Sequence, residues 1–224
     1  MEAKLKQLFS ILEIQPKNQQ YYIEALTHKT YTNETKDTKS YEKLEFLGDS
    51  ILQFKASLFI YQNFTNKEEG IMSNIRAKNV SKEALAKIIR EYKINEFLIC
   101  GNNKDDLKNN IKICSDLFES LAAAIYLDLG EKAVDQFLQK FLFEQIAATA
   151  TDDESLKDPK TRLQELLQPA TKKPVEYKVE QQDEAIWFAR AISNNCTYGQ
   201  GVGKTKNDAM IKAAEDALKK LKIN

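Results

Sequence analysis

Three carboxylates recur at helical spacing in YEKLEFLGDSIL, residues 41–52: Glu42, Glu45 and Asp49. At about 100° per residue they fall within roughly 60° of one another, and like charges so placed repel by a few tenths of a kcal/mol per pair unless a cation sits among them. A second pair, Asp116 and Glu119, lies three residues apart in CSDLFESLAAAIYLDLG. If the helices bearing Glu45/Asp49 and Asp116/Glu119 pack side by side, four oxygen ligands converge without imidazole or thiolate, a donor set for Mg²⁺ or Mn²⁺. A di-iron carboxylate bundle fits worse, because it uses Glu-x-x-His pairs and neither acidic pair has a histidine three residues on.

The competing reading is the solvated face of an amphipathic helix. Two residues argue against it. Gly48 sits mid-helix at a cost of roughly 1 kcal/mol relative to Ala, which signals close packing, and Phe46 is a large aromatic on the acidic side. Leu44, Leu47, Ile51, Phe54 and Leu58 fall on the other side and are the expected core face.

The elements that must position these groups read as helices up to about residue 148, with apolar residues three and four apart in QLFSILEI, KLEFLGDSILQFKASLFIYQNF, KEALAKIIREY, DLFESLAAAIYLDL and VDQFLQKFLFEQI. Strand signals are absent there. The stretch ATATDDESLKDP reads as a linker over residues 149–157. Beyond it a short helix around KTRLQELLQ precedes alternating segments VEYKVEQ, WFARAIS and CTYGQG, and a last helix runs from about Lys206 to Leu221. The expected architecture is an all-α domain over 1–148 followed by a small α+β domain, α-β-β-β-α, over 158–224.

The chain of 224 residues has 42% hydrophobic content, enough for packed cores. Its first turns, MEAKLKQLFSILEIQ, carry charges and no uninterrupted apolar run, so neither a signal peptide nor a membrane span is expected, and a cytoplasmic location is. Cys100, Cys114 and Cys196 are far apart with only His28 to help them, which disfavours a disulfide framework or a zinc site. The net charge of zero conceals an asymmetry: residues 155–224 hold 13 Lys+Arg against 9 Asp+Glu, leaving 20 against 24 of the 33 and 33 for the rest. An acid-lined catalytic domain with a polyanion-binding appendage has this distribution.

YEKLEFLGDSIL resembles the signature of bacterial ribonuclease III, and the likeness extends to THKT at 27–30, EGIMSNIRA at 69–77 and SDLFESLAAAIYLD at 115–128. The resemblance covers nearly the whole chain. It implies a metal-dependent endoribonuclease for double-stranded RNA whose acidic cluster falls on Glu42, Glu45, Asp49, Asp116 and Glu119. Glu45, Asp49, Asp116 and Glu119 lie nearest the metals, Asp49 and Glu119 are catalytic, and Glu42 supports them. Mg²⁺ is the expected cofactor, with Mn²⁺ able to substitute. Ions so held activate water and neutralise charge at phosphorus, giving 5′ phosphate and 3′ hydroxyl ends. The expected targets are precursors of ribosomal and other structured RNA. Asp128 is expected to cap or orient rather than ligate, Glu69 and Arg76 to lie near the RNA path, and His28 to be structural rather than a general base. The resemblance also implies a homodimer with two active sites, in which Phe46 packs into the partner subunit.

The last unit carries TYGQGVGKTK, which comes close to a phosphate-binding P-loop. The first glycine of that motif would have to be residue 198, which is Tyr198, and about twenty residues remain, too few for a nucleotide-binding sheet. No nucleotide cofactor is expected. The unit is similar instead to a double-stranded RNA-binding domain, which implies phosphate contacts from Lys204, Thr205 and Lys206 and minor-groove contacts from Thr161, Gln164 and Glu165. Two departures imply a weaker module: Asn207 follows Lys206 where a second lysine is usual, and Glu184 stands where a histidine is usual. A non-catalytic RNA-binding protein and a hydrolase of another phosphodiester are the alternatives. The five acidic residues speak against the first, and the second module speaks against the other.

Overall fold

The computed structural model describes residues 2–32, 38–101, 104–151, 156–183 and 185–221. Two compact units divide the chain, residues 1–152 and 153–224. In the first, the described helices are α1 (Glu2–Leu12), α2 (Gln19–Leu26), α3 (Lys29–Thr32), α4 (Glu42–Asn63), α5 (Glu69–Asn79), α6 (Lys82–Glu91), α7 (Lys104–Lys108), α8 (Ile111–Leu129), α9 (Glu131–Leu138) and α10 (Glu144–Thr151). A 3₁₀ turn covers Ile94–Phe97, and a π turn at Gln139–Phe143 joins α9 to α10. Residues 149–151, expected to open a linker, continue α10 as helix, while 152–155 lie outside the described residues.

Helix α8 is the axis of this unit, packed by α2, α4, α6 and α9. It is buried on most sides from Ile113 through Ile125, with the polar Ser115, Asp116 and Ser120 buried among its apolar residues. The Asn110 side chain starts it by accepting from the Ile113 amide at 3.2 Å, and Gly130 ends it at φ +85°, a conformation that favours glycine. Ala122, Ala123 and Ala124 are fully buried and keep the helix slender for its neighbours. Among the described residues of this otherwise helical unit a β-bridge joins Thr27 to Ile99, where the sequence carries no strand signal.

The core face of α4 differs from the expected one. Leu44, Gly48, Leu52, Ala56 and Ile60 are buried, whereas Phe54 is 59% exposed, and Leu47, Ile51 and Leu58 are only partly covered. Apolar residues occur around most of the α4 circumference, so periodicity alone allows more than one face, and close approach to α8 selects the one containing the small residues Gly48 and Ala56. Lys55 is buried on this face as well. Its ammonium lies 2.6 Å from Glu131 and 2.8 Å from Asp135, two partners that a charge 6% exposed requires.

The second unit consists of α11 (Pro159–Thr171), β1 (Glu176–Asp183), β2 (Ile186–Ser193), β3 (Cys196–Gly203) and α12 (Lys206–Lys220). The strands form an antiparallel sheet in the order β1-β2-β3. Asn194 and Asn195, at φ 49° and 62°, make the two-residue β2–β3 turn, matching the positive-φ pair of a type I′ hairpin. Leu163 and Leu167 of α11, Ala189 and Ala191 of β2, and the alanine stripe of α12 form the core. The glycines of β3 face that stripe: a Cβ at Gly201 would come within 2.3 Å of the Ala213 amide nitrogen. The GQGVG pattern therefore lets a helix lie directly on a sheet.

Candidate active site

Packing of α4 on α8 brings the carboxylates together. At Gly48 the two backbones approach so closely that a Cβ there would lie 1.9 Å from the Glu119 carbonyl oxygen. Oxygens of Glu45, Asp116 and Glu119 consequently lie within 4.8 Å of one another. Asp116 is buried, and its Oδ2 accepts from the Tyr41 hydroxyl at 3.2 Å and from the Lys112 ammonium at 2.6 Å. Lys112 Nζ also lies 3.6 Å from Glu45 Oε1. The Ser115 hydroxyl donates to Glu119 Oε1 at 3.4 Å.

Burial is the largest influence on the ionisation of Glu119, which together with the charges of Asp116, Asp49 and Glu45 pushes its carboxyl up to about 7. Glu45 is likewise raised, first by burial and then by Asp116. Burial and the neighbouring Asp116 raise the Tyr41 hydroxyl, and the hydrogen bond to Asp116 raises the Lys112 ammonium. Carboxylates this concentrated hold their negative charge at a cost, which a cation relieves. Lys112 already supplies one positive charge in that position, so the donor set, its spacing and its electrostatics all fit a divalent cation.

The structure places the remaining predicted residues around this group. Asp49 is exposed, receives the Gln53 amide at 3.5 Å, and reaches Glu119 through its charge rather than through the three-carboxylate contact. Glu42 is exposed, accepts from the Ser40 hydroxyl at 3.2 Å and lies 3.7 Å from Lys29 Nζ. Both Glu42 and Lys29 line a cleft of about 220 Å³ shared with Glu45, Lys112, Asp116 and His28. His28 is buried, its Nδ1 2.9 Å from the Thr30 hydroxyl, and burial followed by the Lys29 charge lowers its pKa. Asp128 lies outside the three-carboxylate group. It accepts from the Lys17 and Asn18 amides and the Tyr22 hydroxyl, tying α8 to the start of α2. Arg76 donates to the Ser57 hydroxyl at 2.9 Å, and the Glu69 carboxylate accepts from Ser73 at 2.9 Å.

Sequence reasoning missed Lys112 and Tyr41. The signal for Lys112 was present, since a lysine four residues before an aspartate on one helix pairs with it. Tyr41 immediately precedes α4, where spacing rules give no direction for a side chain.

In the second unit, Lys204, Thr205 and Lys206 are exposed together at the start of α12. Thr205 caps that helix by accepting from the Asp208 amide at 3.1 Å, and Lys206 Nζ lies 4.7 Å from the centre of the Trp187 ring. Lys160 of α11 donates to the Asn207 side chain at 2.9 Å. On α11, Thr161 is exposed, Gln164 accepts from the Val175 amide at 2.7 Å, and Glu165 pairs with Lys157. Glu184 lies outside the described residues.

A helical unit with clustered carboxylates gathered around the buried Asp116, followed by an α-β-β-β-α unit with a basic helix start, is the arrangement of an endoribonuclease for double-stranded RNA. Residues 18–146 match the ribonuclease-III-like family and residues 159–221 match the double-stranded RNA-binding motif. Ribonuclease 3 of Mycoplasma mobile is 44% identical over 210 residues, 92% of this chain and 85% of that protein. Ribonuclease 3 of Spiroplasma citri is 36% identical over 226 residues, covering 97% and 91%. The solved nuclease domain of ribonuclease III from Campylobacter jejuni shares the fold at TM-score 0.52 and 27% identity, covering 66% of this chain and 96% of that one. The chain belongs to the ribonuclease III family.

Proposed function

We propose that Glu45, Asp49, Asp116 and Glu119 hold Mg²⁺, or Mn²⁺ in its place, for hydrolysis of duplex RNA, with Asp49 and Glu119 catalytic and Glu42 supporting. The observation that carries this reading is the convergence of Glu45, Asp116 and Glu119 oxygens within 4.8 Å. A divalent cation there supplies charge neutralisation at the scissile phosphate and activation of water. Tyr41 and Ser115 hold Asp116 and Glu119 in place by hydrogen bonds, and the closeness of α4 and α8 at Gly48 fixes the separation of their carboxylates. Attack by water leaves 5′ phosphate and 3′ hydroxyl ends, and precursors of ribosomal and other structured RNA are the proposed targets. End-group analysis of products from a perfect RNA duplex tests this: 2′,3′-cyclic phosphate ends refute it.

The protein acts as a homodimer in this reading. Phe46, Phe54 and Tyr61 are 78%, 59% and 69% exposed on α4, and their positions fall within about 80° of one another around the helix. An aromatic stripe of this kind fits a protein interface. The Campylobacter jejuni nuclease domain has a region involved in dimer formation. At a two-fold interface Phe46→Ala removes apolar area twice, at about 2 kcal/mol per copy, so the dissociation constant should rise about a thousandfold. Sedimentation velocity across a concentration series measures this, and a wild-type chain that is monomeric at micromolar concentration contradicts the dimer.

Residues 1–148 form the catalytic domain and 158–224 the RNA-binding domain in this reading, with Thr161, Gln164, Glu165, Lys204, Thr205 and Lys206 facing the duplex. Phosphate contacts contribute affinity that falls steeply with salt. Removing residues 155–224 is therefore expected to leave cleavage at low ionic strength and to lose most of it near physiological salt. A salt titration of cleavage by both forms on one duplex measures this, and superimposable profiles would remove the second unit from substrate affinity.

A further inference from the structure

Among the described residues lining this cleft, Lys112 both touches the acidic cluster and carries the opposite charge. Its ammonium lies 2.6 Å from Asp116 Oδ2 and 3.6 Å from Glu45 Oε1, among the oxygens assigned to the divalent cation. Lys29, the other cation lining the cleft, stands instead 3.7 Å from Glu42. The Asp116 side chain is 3% exposed and that of Lys112 is 59% exposed. The carboxylate is held in the interior, while the lysine side chain that reaches it is largely exposed to solvent.

We propose that Lys112 is the resident counter-ion of the metal-free site and competes with the divalent cation for Asp116 and Glu45. This rests on the reading of the cluster as a metal site. A buried carboxylate without a positive partner is costly, so the lysine stabilises the cluster before metal arrives. The same ammonium would repel a doubly charged ion held by those oxygens. Each metal-binding event must then displace Lys112 from Asp116, and the lost ion pair weakens the measured affinity. The lysine thus keeps the empty site folded and the bound ion exchangeable.

The test is a titration of full-length protein with MnCl₂ in the absence of RNA, following free Mn²⁺ by electron paramagnetic resonance. Lys112→Met and Lys112→Gln should bind Mn²⁺ about tenfold more tightly than wild type, and Lys112→Arg, which keeps the charge, should stay close to wild type. Thermal melting supplies the second readout: in EDTA the two neutral variants should melt below wild type, and Mn²⁺ should raise their melting temperature by more. Affinity in both neutral variants that equals or falls below wild type overturns the proposal. Wild-type protein without saturable Mn²⁺ binding overturns the metal site itself, a separate failure.

Discussion

Glu119→Gln should reduce Mg²⁺-dependent cleavage of duplex RNA by about 10³-fold, roughly 4 kcal/mol of transition-state stabilisation, while leaving duplex binding intact. Glutamine keeps the size of the side chain and its hydrogen bond with Ser115 but removes the charge that a divalent cation needs. The same substitution should stabilise the metal-free protein. The Glu119 carboxyl is raised from 4.5 to about 7, so the folded state holds its proton more tightly than the unfolded state does. The stability this gives is fully present below pH 4.5 and is lost as pH rises through 7. Above that window the ionised wild-type side chain is a burden that glutamine does not carry. In EDTA at pH 8 the variant should therefore exceed wild type by about 1–2 kcal/mol once solvent screening of this half-buried group is allowed for. The difference should vanish near pH 4, and added Mg²⁺ should stabilise wild type alone. Urea denaturation at the two pH values, with and without Mg²⁺, measures all three effects. Equal stability at pH 8 would mean that the carboxylates do not strain one another.

Gly48→Ala is expected to damage both stability and cleavage. Alanine is the better helix former by roughly 1 kcal/mol, so an exposed site would gain from the change. Here the new methyl would sit 1.9 Å from the carbonyl oxygen and 2.4 Å from the carbonyl carbon of Glu119, backbone atoms of a helix buried on most sides. Helix α8 must move away, and overpacking of this kind costs about 1–3 kcal/mol beyond the lost helix gain. A shift of about 1 Å between the helices separates Glu45 from Asp116 and Glu119, for which a loss near a hundredfold in cleavage is expected. Denaturant titration together with single-turnover cleavage checks both. Stability within 0.5 kcal/mol of wild type would show that the helices are not held at this distance.

Helical spacing groups Glu42, Glu45 and Asp49 on one helix and Asp116 with Glu119 on another, but that Glu45, Asp116 and Glu119 converge depends on the packing of α4 against α8. The contact partners were less legible in the sequence. The cost of a mid-helix Gly48 announced a close approach, but nothing local says that the approaching atom is the carbonyl of Glu119. Periodicity rotated the core face of α4 toward Phe54 because leucine, isoleucine and phenylalanine occur around much of that helix. Only packing decides that Leu52 and Ile60 go inward while Phe54 joins Phe46 and Tyr61 outside. The β3 glycines illustrate the same limit in the second unit. Their sequence comes close to a phosphate-binding loop, which Tyr198 at the first glycine position rules out, but nothing local says that these glycines admit an alanine-faced helix onto the sheet.

Whether the clustered carboxylates bind a divalent cation to cut double-stranded RNA is decided by one assay. Wild-type protein is incubated with a perfect RNA duplex, its DNA counterpart and single-stranded RNA while Mg²⁺ is titrated from EDTA upward. Cleavage of the RNA duplex alone, rising saturably with Mg²⁺ and abolished again by EDTA, is the predicted result. Cleavage that persists in EDTA would refute the metal-dependent mechanism, and cleavage that treats the DNA duplex and single-stranded RNA like the RNA duplex would refute the specificity for double-stranded RNA.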